Sequence, residues 1–185
     1  AVAVCAVVAL VLRVALVART GVAPKAGGGG IDSVDDDAVL EVHVRDFGVI
    51  TLALLWRAAP RTAAAIAELA ERHFYDGCVF YRYEPRFVLQ GGGTFANGTA
   101  QTSPLGALQL EYDDDAPNVE RAVSMARFAN PHSATHDWSI MLNDNSQWLG
   151  PGGADAFGYT VFAQVIDGER GWSTMQRVVA HLDDK

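Results

Sequence analysis

The chain has 185 residues, which is enough for one domain of ordinary size together with an appendage. Half of the residues are hydrophobic, so the domain can build a sizeable core. The formal net charge is -8, and this acidic balance argues against nucleic acid as a partner because phosphate binding needs a basic surface.

The first segment, residues 1–20, is almost wholly apolar up to residue 18, with Arg13 as its one charge. Its length is close to the lower limit for a membrane-spanning helix, and an off-centre arginine can extend toward the headgroups. We therefore predict an N-terminal apolar helix that anchors the protein to a membrane. The apolar part of a targeting peptide and a buried helix are the alternatives. An anchor leaves the organelle open, with the secretory pathway or an organelle lumen as candidates.

The next segment, residues 21–37, is rich in glycine and aspartate, with four glycines at 27–30 and three aspartates at 35–37. This composition is typical of a flexible, solvated linker. The folded domain is therefore expected to occupy residues 38–185.

From residue 38 onward the hydrophobic pattern predicts regular elements. Alternation over residues 38–45 and an apolar run over 49–56 predict a β-hairpin. Residues 60–74, which begin with Pro60, and residues 172–182 predict two helices. Between the helices, Gly, Pro, Asn and Asp clusters separate short apolar segments at residues 78–81, 87–90, 122–126, 138–142 and 159–166. Many short strands with two helices predict a mostly β fold, a closed barrel with helical caps.

The most informative stretch is FYRYEPRFVLQGGG at residues 80–93. It can present Arg82, Phe87 and Gln90 together from one strand and its entry. This stretch resembles the signature of the cyclophilin family of peptidyl-prolyl isomerases, roughly F-x-R-x-x-P-x-F-x-x-Q-G-G. Further segments resemble the family in the same order along residues 38–182, and they are residues 75–82, 97–99, 123–126, 131–135, 148–149 and 158–165.

The resemblance implies a cyclophilin-like domain at 38–185, an eight-stranded antiparallel β-barrel capped by two helices. It also implies a peptidyl-prolyl cis-trans isomerase that assists protein folding, here at or near a membrane, with no metal or cofactor. Its partners would be proline-containing peptide or protein segments. Arg82 matches the catalytic position, where a guanidinium stabilises the twisted Xaa-Pro bond. The substrate-binding positions would be Phe87, Val88, Gln90, Ala126, Arg127, Asp137, Ser139, Trp148, Leu149 and Tyr159.

The resemblance also assigns roles to these positions. Phe87, Val88 and Leu149 would hold the proline ring, and Gln90 would orient Arg82 or the substrate carbonyl. In addition, Trp148 matches an aromatic residue of the pocket rim, and Tyr159 stands at a position where many members have histidine. Arg127 stands where the family usually has asparagine, and the role of that position is largely through the backbone.

The sequence departs from the family pattern at the floor of the pocket. Where the family usually reads S-Q-F-F-I, residues 136–140 read HDWSI, so Asp137 replaces a glutamine and Ser139 replaces the floor phenylalanine. Losing a buried ring costs about 3–5 kcal/mol by analogy with core truncations. Asp137 could pair with Arg82, and a one-residue bulge could instead bring Trp138 to the floor. These changes support an alternative function, a catalytically weak or inactive cyclophilin-like binding module or accessory subunit of a membrane protein complex.

Overall fold

The described part of the chain, residues 12–18 and 38–185 of a computed structural model, contains eight strands and three helices. The strands are β1 (Leu12–Ala18), β2 (Ala38–Val44), β3 (Gly48–Leu54), β4 (Cys78–Glu84), β5 (Val88–Phe95), β6 (Ala122–Met125), β7 (Trp138–Met141) and β8 (Val161–Val165). The helices are α1 (Pro60–Glu71), α2 (Ser146–Leu149) and α3 (Trp172–Asp183).

All eight strands belong to one sheet in the order β1-β2-β3-β8-β6-β7-β5-β4, and every neighbouring pair is antiparallel. The predicted eight-stranded antiparallel fold is therefore confirmed, but the sheet is an open half-barrel rather than a closed barrel. Its end strands, β1 and β4, approach each other where the Gly77 N–H donates to the Leu12 carbonyl over 2.9 Å. No ladder between these two described strands follows that contact.

The predicted hairpin and both predicted helices are present. β2 pairs with β3 around a turn that joins Val44 to Gly48. α1 starts at Pro60, where the missing proline N–H costs little, and it buries an apolar face that includes Ile66 and Leu69. α3 packs Met175 and Val178 into the same core. The short helix α2 is an element that the sequence did not predict.

The N-terminal apolar helix is a wrong prediction over Leu12–Ala18, because this segment is strand β1. It pairs along its whole length with β2, from Leu12 opposite Val44 to Ala18 opposite Ala38. Leu12 and Val14 are buried in the main core while Arg13 between them is exposed, which is the two-residue period of a strand. An apolar run does not by itself distinguish a helix from a buried strand. The rest of the predicted anchor, at residues 1–11 and 19–20, and the predicted linker at 21–37 lie outside the described residues.

No helix within the described ranges combines the length and the apolar character that crossing a membrane requires. The predicted membrane anchor used residues 12–18 as part of its span, whereas these residues are part of the sheet.

Candidate active site

The candidate site is built on the β4–β5 hairpin. Arg82 on β4 lies directly opposite Gln90 on β5 in the strand register. Cross-strand partners place their side chains on the same face of a sheet, so the hairpin brings together two side chains that are eight residues apart in sequence. The β5–β7 pairing then extends this face, with Gln90 opposite Ser139.

Three groups contact the Arg82 guanidinium. Nη1 donates to Oε1 of Gln90 over 3.0 Å, and Nη2 donates to the Glu84 carboxylate over 2.7 Å. The guanidinium carbon lies 5.8 Å from the centroid of the Phe87 ring, within the range of a cation–π contact. The Arg82 and Glu84 side chains are 44% and 53% exposed, so solvent weakens their attraction and a ligand can compete for the guanidinium.

The three residues predicted to hold a proline ring share one apolar cluster, separate from the main core. Val88 is buried in it, and Phe87 and Leu149 pack against it from the chain segments on either side. The cluster also contains Met141 and Val161. An apolar surface beside a charged donor matches the two parts of a prolyl residue, a hydrocarbon ring and a polar imide bond.

The floor of the site is polar. Ser139 is 8% exposed and lies opposite both Gln90 and Ser124 in the sheet. β7 runs through both pairings without a register shift, so the bulge that would have exposed Trp138 is absent from this described strand. Trp138 is instead fully buried in the main core, where it packs edge-on against Phe80 at 5.8 Å. No aromatic ring from β7 therefore faces the candidate site.

Asp137 lies behind the site instead of pairing with Arg82. Its Oδ1 accepts the backbone N–H of Gly93 over 3.0 Å, and its own carbonyl accepts the N–H of Ala126 over 2.8 Å. In the described part of the chain, the carboxylate that pairs with Arg82 is that of Glu84.

A second arginine, Arg127, stabilises the rim of the site, the border that Trp148 and Tyr159 form. The Arg127 side chain is only 2% exposed, pairs with the Asp155 carboxylate and donates to the Gly158 carbonyl over 2.7 Å. Its guanidinium lies 4.1 Å from the centroid of the Tyr159 ring, and this cation–π contact restrains the ring. Burial acts to raise the pKa of Asp155, but the N–H groups of Phe157 and Gly158 and the Arg127 guanidinium hold it below its ordinary value. The resemblance had assigned Arg127 a backbone role, whereas here its side chain organises the rim.

Trp148 is 70% exposed on α2 and is free to contact a ligand. Leu149, the next residue, accepts the N–H of Tyr159 through its carbonyl over 3.1 Å. This bond ties α2 to the segment before β8, so Trp148 and Tyr159 stay on neighbouring parts of the rim.

Three residues with direct roles in this geometry were missed from the sequence. Tyr81 contacts Gln90, Glu84 pairs with Arg82, and Asp155 pairs with Arg127. Tyr81 and Glu84 lie inside the motif, where flanking positions with hydrogen-bonding groups were the available signal. Asp155 is 28 residues from its partner, and no local pattern in the sequence indicates that contact.

Comparison with known proteins gives a consistent result. Residues 39–185 match the family described as "Cyclophilin type peptidyl-prolyl cis-trans isomerase/CLD". The chain is 33% identical over 123 residues to a peptidyl-prolyl cis-trans isomerase of Acinetobacter baylyi, a match that covers 66% of this chain and 64% of that protein. It is 36% identical over 121 residues to peptidyl-prolyl cis-trans isomerase A of Dickeya dadantii, covering 65% and 62%. The chain thus spans less than two thirds of either relative.

Solved structures share the fold at lower sequence identity. A cyclophilin-type peptidyl-prolyl cis-trans isomerase of Cryptosporidium parvum, solved in the presence of the dipeptide Ala-Pro, is 18% identical with a TM-score of 0.55. The match covers 71% of this chain and 79% of that one. A cyclophilin of Hirschia baltica has the same TM-score at 19% identity, covering 67% of this chain and 62% of its own.

Proposed function

Because the chain belongs to the cyclophilin-type peptidyl-prolyl cis-trans isomerase family, we propose that it catalyses rotation about Xaa-Pro peptide bonds, with Arg82 as the catalytic residue. The observation that carries this proposal is the position of the Arg82 guanidinium. It is held by Gln90 and lies beside Phe87 at the edge of the separate apolar cluster. A prolyl ring resting on that cluster would bring its imide nitrogen toward the guanidinium.

The chemistry needs only a donor that favours the twisted bond. Rotation faces a barrier of about 18–20 kcal/mol because the C–N bond has partial double-bond character. Twisting removes the conjugation and makes the prolyl nitrogen a better hydrogen-bond acceptor. A guanidinium aimed at that nitrogen binds the twisted state more strongly than either planar state, and each ~1.4 kcal/mol of this difference gives a tenfold rate increase.

In this proposal the remaining residues bind rather than react. Phe87, Val88 and Leu149 hold the ring by apolar contact, and Gln90 keeps the guanidinium in place. Ala126, directly after β6, would meet the extended substrate chain through its carbonyl, since its N–H donates to Asp137. Trp148 and Tyr159 border the rim where residues next to the proline would lie. Proline-containing segments of other proteins are the substrate class that this arrangement fits.

A second candidate function, peptide binding without catalysis, is favoured by two observations at the same site. The polar floor at Ser139 offers less apolar contact to a proline ring than an aromatic would, and Glu84 competes for Arg82. Both weaken the binding of the twisted state. We rank this function second, because the donor and the ring-holding cluster are both in place.

Exchange NMR on a short peptide with one Ala-Pro bond separates the two functions. Uncatalysed interconversion takes tens to hundreds of seconds, so exchange cross-peaks between cis and trans signals are absent without a catalyst. An isomerase at a small fraction of the peptide concentration produces them, and Ser139→Phe strengthens them if it restores an apolar floor. Chemical-shift changes in the protein without any exchange cross-peaks would favour the binding module and contradict the proposed activity.

A further inference from the structure

The hydrogen bonding of Arg82 continues behind the residue that holds it. Gln90 accepts from Arg82 through Oε1 over 3.0 Å and donates through Nε2 to the hydroxyl of Tyr81 over 2.6 Å. A glutamine amide has its acceptor and its donors on opposite sides. Because the guanidinium only donates and the Tyr81 oxygen accepts, both contacts favour the orientation that turns the amide oxygen toward the guanidinium, and Tyr81 restrains the amide in it.

A bulge in β4 explains why Tyr81 reaches the same place as its neighbour Arg82. Successive residues of a regular strand point to opposite faces. Here Phe80 pairs with Gly91 and Arg82 pairs with Gln90, so two steps along β4 correspond to one step along β5. The extra residue in this interval is Tyr81, and a bulge of this kind redirects a side chain. Both Tyr81 and Arg82 consequently contact Gln90.

The Asp137 carboxylate lies near the Tyr81 hydroxyl and acts on it electrostatically. Burial, followed by the charge and hydrogen bonding of the Asp137 carboxylate, raises the pKa of Tyr81, so the hydroxyl keeps its proton. Since that oxygen accepts from Gln90, its proton is available to the carboxylate. Asp137 is fixed by the Gly93 N–H. A Cβ on Gly92 would lie 1.9 Å from Oδ1 of Asp137, so glycine is needed there for the carboxylate to fit.

We propose that Tyr81 is a positioning residue for Arg82, which it orients through Gln90 against the competing pull of Glu84. This inference deepens the proposed function and rests on it for its catalytic consequence. Without the hydroxyl, the Gln90 amide is free to rotate and the Arg82 guanidinium turns toward Glu84, the partner of its other nitrogen. The planar ground state of the substrate gains little from Arg82, so the loss falls on turnover.

The test is Tyr81→Phe, which removes one oxygen and leaves the ring in place. The matched control is Tyr83→Phe in the same strand, whose hydroxyl donates to Asp183 on α3. Loss of one such bond is expected to lower kcat about 3–10-fold with KM nearly unchanged. In the same variant, the NMR signals of the Gln90 side-chain amide and the Arg82 Nε–H group shift, and rotation of the guanidinium speeds up. The control leaves kcat and both signals unchanged.

A double variant distinguishes positioning through Gln90 from a general loosening of the hairpin. If Tyr81 acts through Gln90, Tyr81→Phe has no further effect on kcat in a Gln90→Leu background, whereas independent effects would multiply. Multiplying effects, or Gln90 and Arg82 signals that do not respond to Tyr81→Phe, overturn the inference. The NMR signals of Gln90 and Arg82 are measured on the protein without substrate, so they do not depend on activity. An inactive wild-type protein would therefore refute the proposed function, while the signals would still decide whether Tyr81 orients Arg82.

Discussion

Glu111 is expected to hold the start of α1 in place. The helix has no capping side chain of its own, since Ala59 occupies the N-cap position. Glu111 supplies the acceptors from 49 residues away: Oε2 accepts the N–H and the hydroxyl of Thr62, both over 2.8 Å, and Oε1 accepts the N–H and Nε of Arg61, both over 3.1 Å. The Glu111 side chain is 7% exposed, and Thr62 is buried. Replacing the carboxylate by an amide tests how much this cap stabilises the fold.

The magnitude follows from which donors keep an acceptor in Glu111→Gln. A glutamine turns its one oxygen toward the buried Thr62 donors and its NH₂ toward Arg61, whose exposed side chain rebinds water. Each of the two retained bonds changes from charged to neutral, which removes about 1 kcal/mol apiece. With a small contribution from Arg61, the loss of unfolding free energy is about 2–3 kcal/mol. For a chain of 185 residues this lowers Tm by about 4–12 °C.

The assay is thermal and urea unfolding of Glu111→Gln beside Glu68→Gln. Glu68 on the same helix forms an exposed pair with Arg72 at the helix C-cap, so its substitution removes the same charge at a cost of about 0.3–0.5 kcal/mol. Equal effects of the two substitutions would refute the capping role.

The pH dependence of unfolding gives an independent check. Burial acts to raise the pKa of Glu111, but hydrogen bonds from Thr62 and Arg61 outweigh it and hold the pKa below its ordinary value of 4.5. The carboxylate therefore stabilises the fold above pH 4.5, and this contribution is lost as the pH falls through the lowered pKa. In Glu111→Gln, the unfolding free energy should therefore no longer show this decrease at acidic pH.

Three further predictions concern the site and the first strand. Glu84→Gln frees Arg82 from an exposed ion pair and should raise kcat/KM about 1.5–5-fold at low salt, and an unchanged value would show that the pair does not restrain the guanidinium. Leu12→Ala should lower the urea-derived unfolding free energy by about 2–5 kcal/mol, whereas a change near zero would place β1 outside the core. Asp155→Asn leaves the buried Arg127 without its charged partner, although the Gly158 carbonyl remains, and should cost about 1–3 kcal/mol, measured in the same way. Full stability in this variant would contradict the ion pair's role.

Regular periodicity explains which elements the sequence could predict. In the hairpin from Ala38 to Leu54 the first strand alternates and the second is a short apolar run, and α1 and α3 have apolar faces at helical spacing, so local pattern and tertiary burial agree. Residues 1–18 are apolar without a clear period, and a pattern of this kind fits a buried strand as well as a helix. The segment is a strand because its backbone pairs with the edge of β2 and because Leu12 and Val14 are buried in the main core.

In the site, too, local sequence pattern predicts some features and tertiary pairing decides the others. Arg82, Phe87 and Gln90 lie within nine residues of one motif, so a linear pattern was enough to find them. The orientation of Trp138 and Ser139 depended on whether β7 contained a bulge, which only the pairing with β5 and β6 decides. Glu84, rather than Asp137, pairs with Arg82 because the hairpin register sets the side-chain directions. Composition and spacing carry no information on such choices.

The central claim is that Arg82 stabilises the twisted Xaa-Pro bond, and kcat/KM on a peptide with one Ala-Pro bond tests it most directly. Arg82→Ala removes a donor aimed at the developing acceptor and should lower kcat/KM about 100-fold or more, mainly through kcat. Arg72→Ala, which breaks a comparable exposed ion pair at the C-terminal end of α1, should leave kcat/KM unchanged. An active wild-type protein whose kcat/KM survives Arg82→Ala would contradict the account.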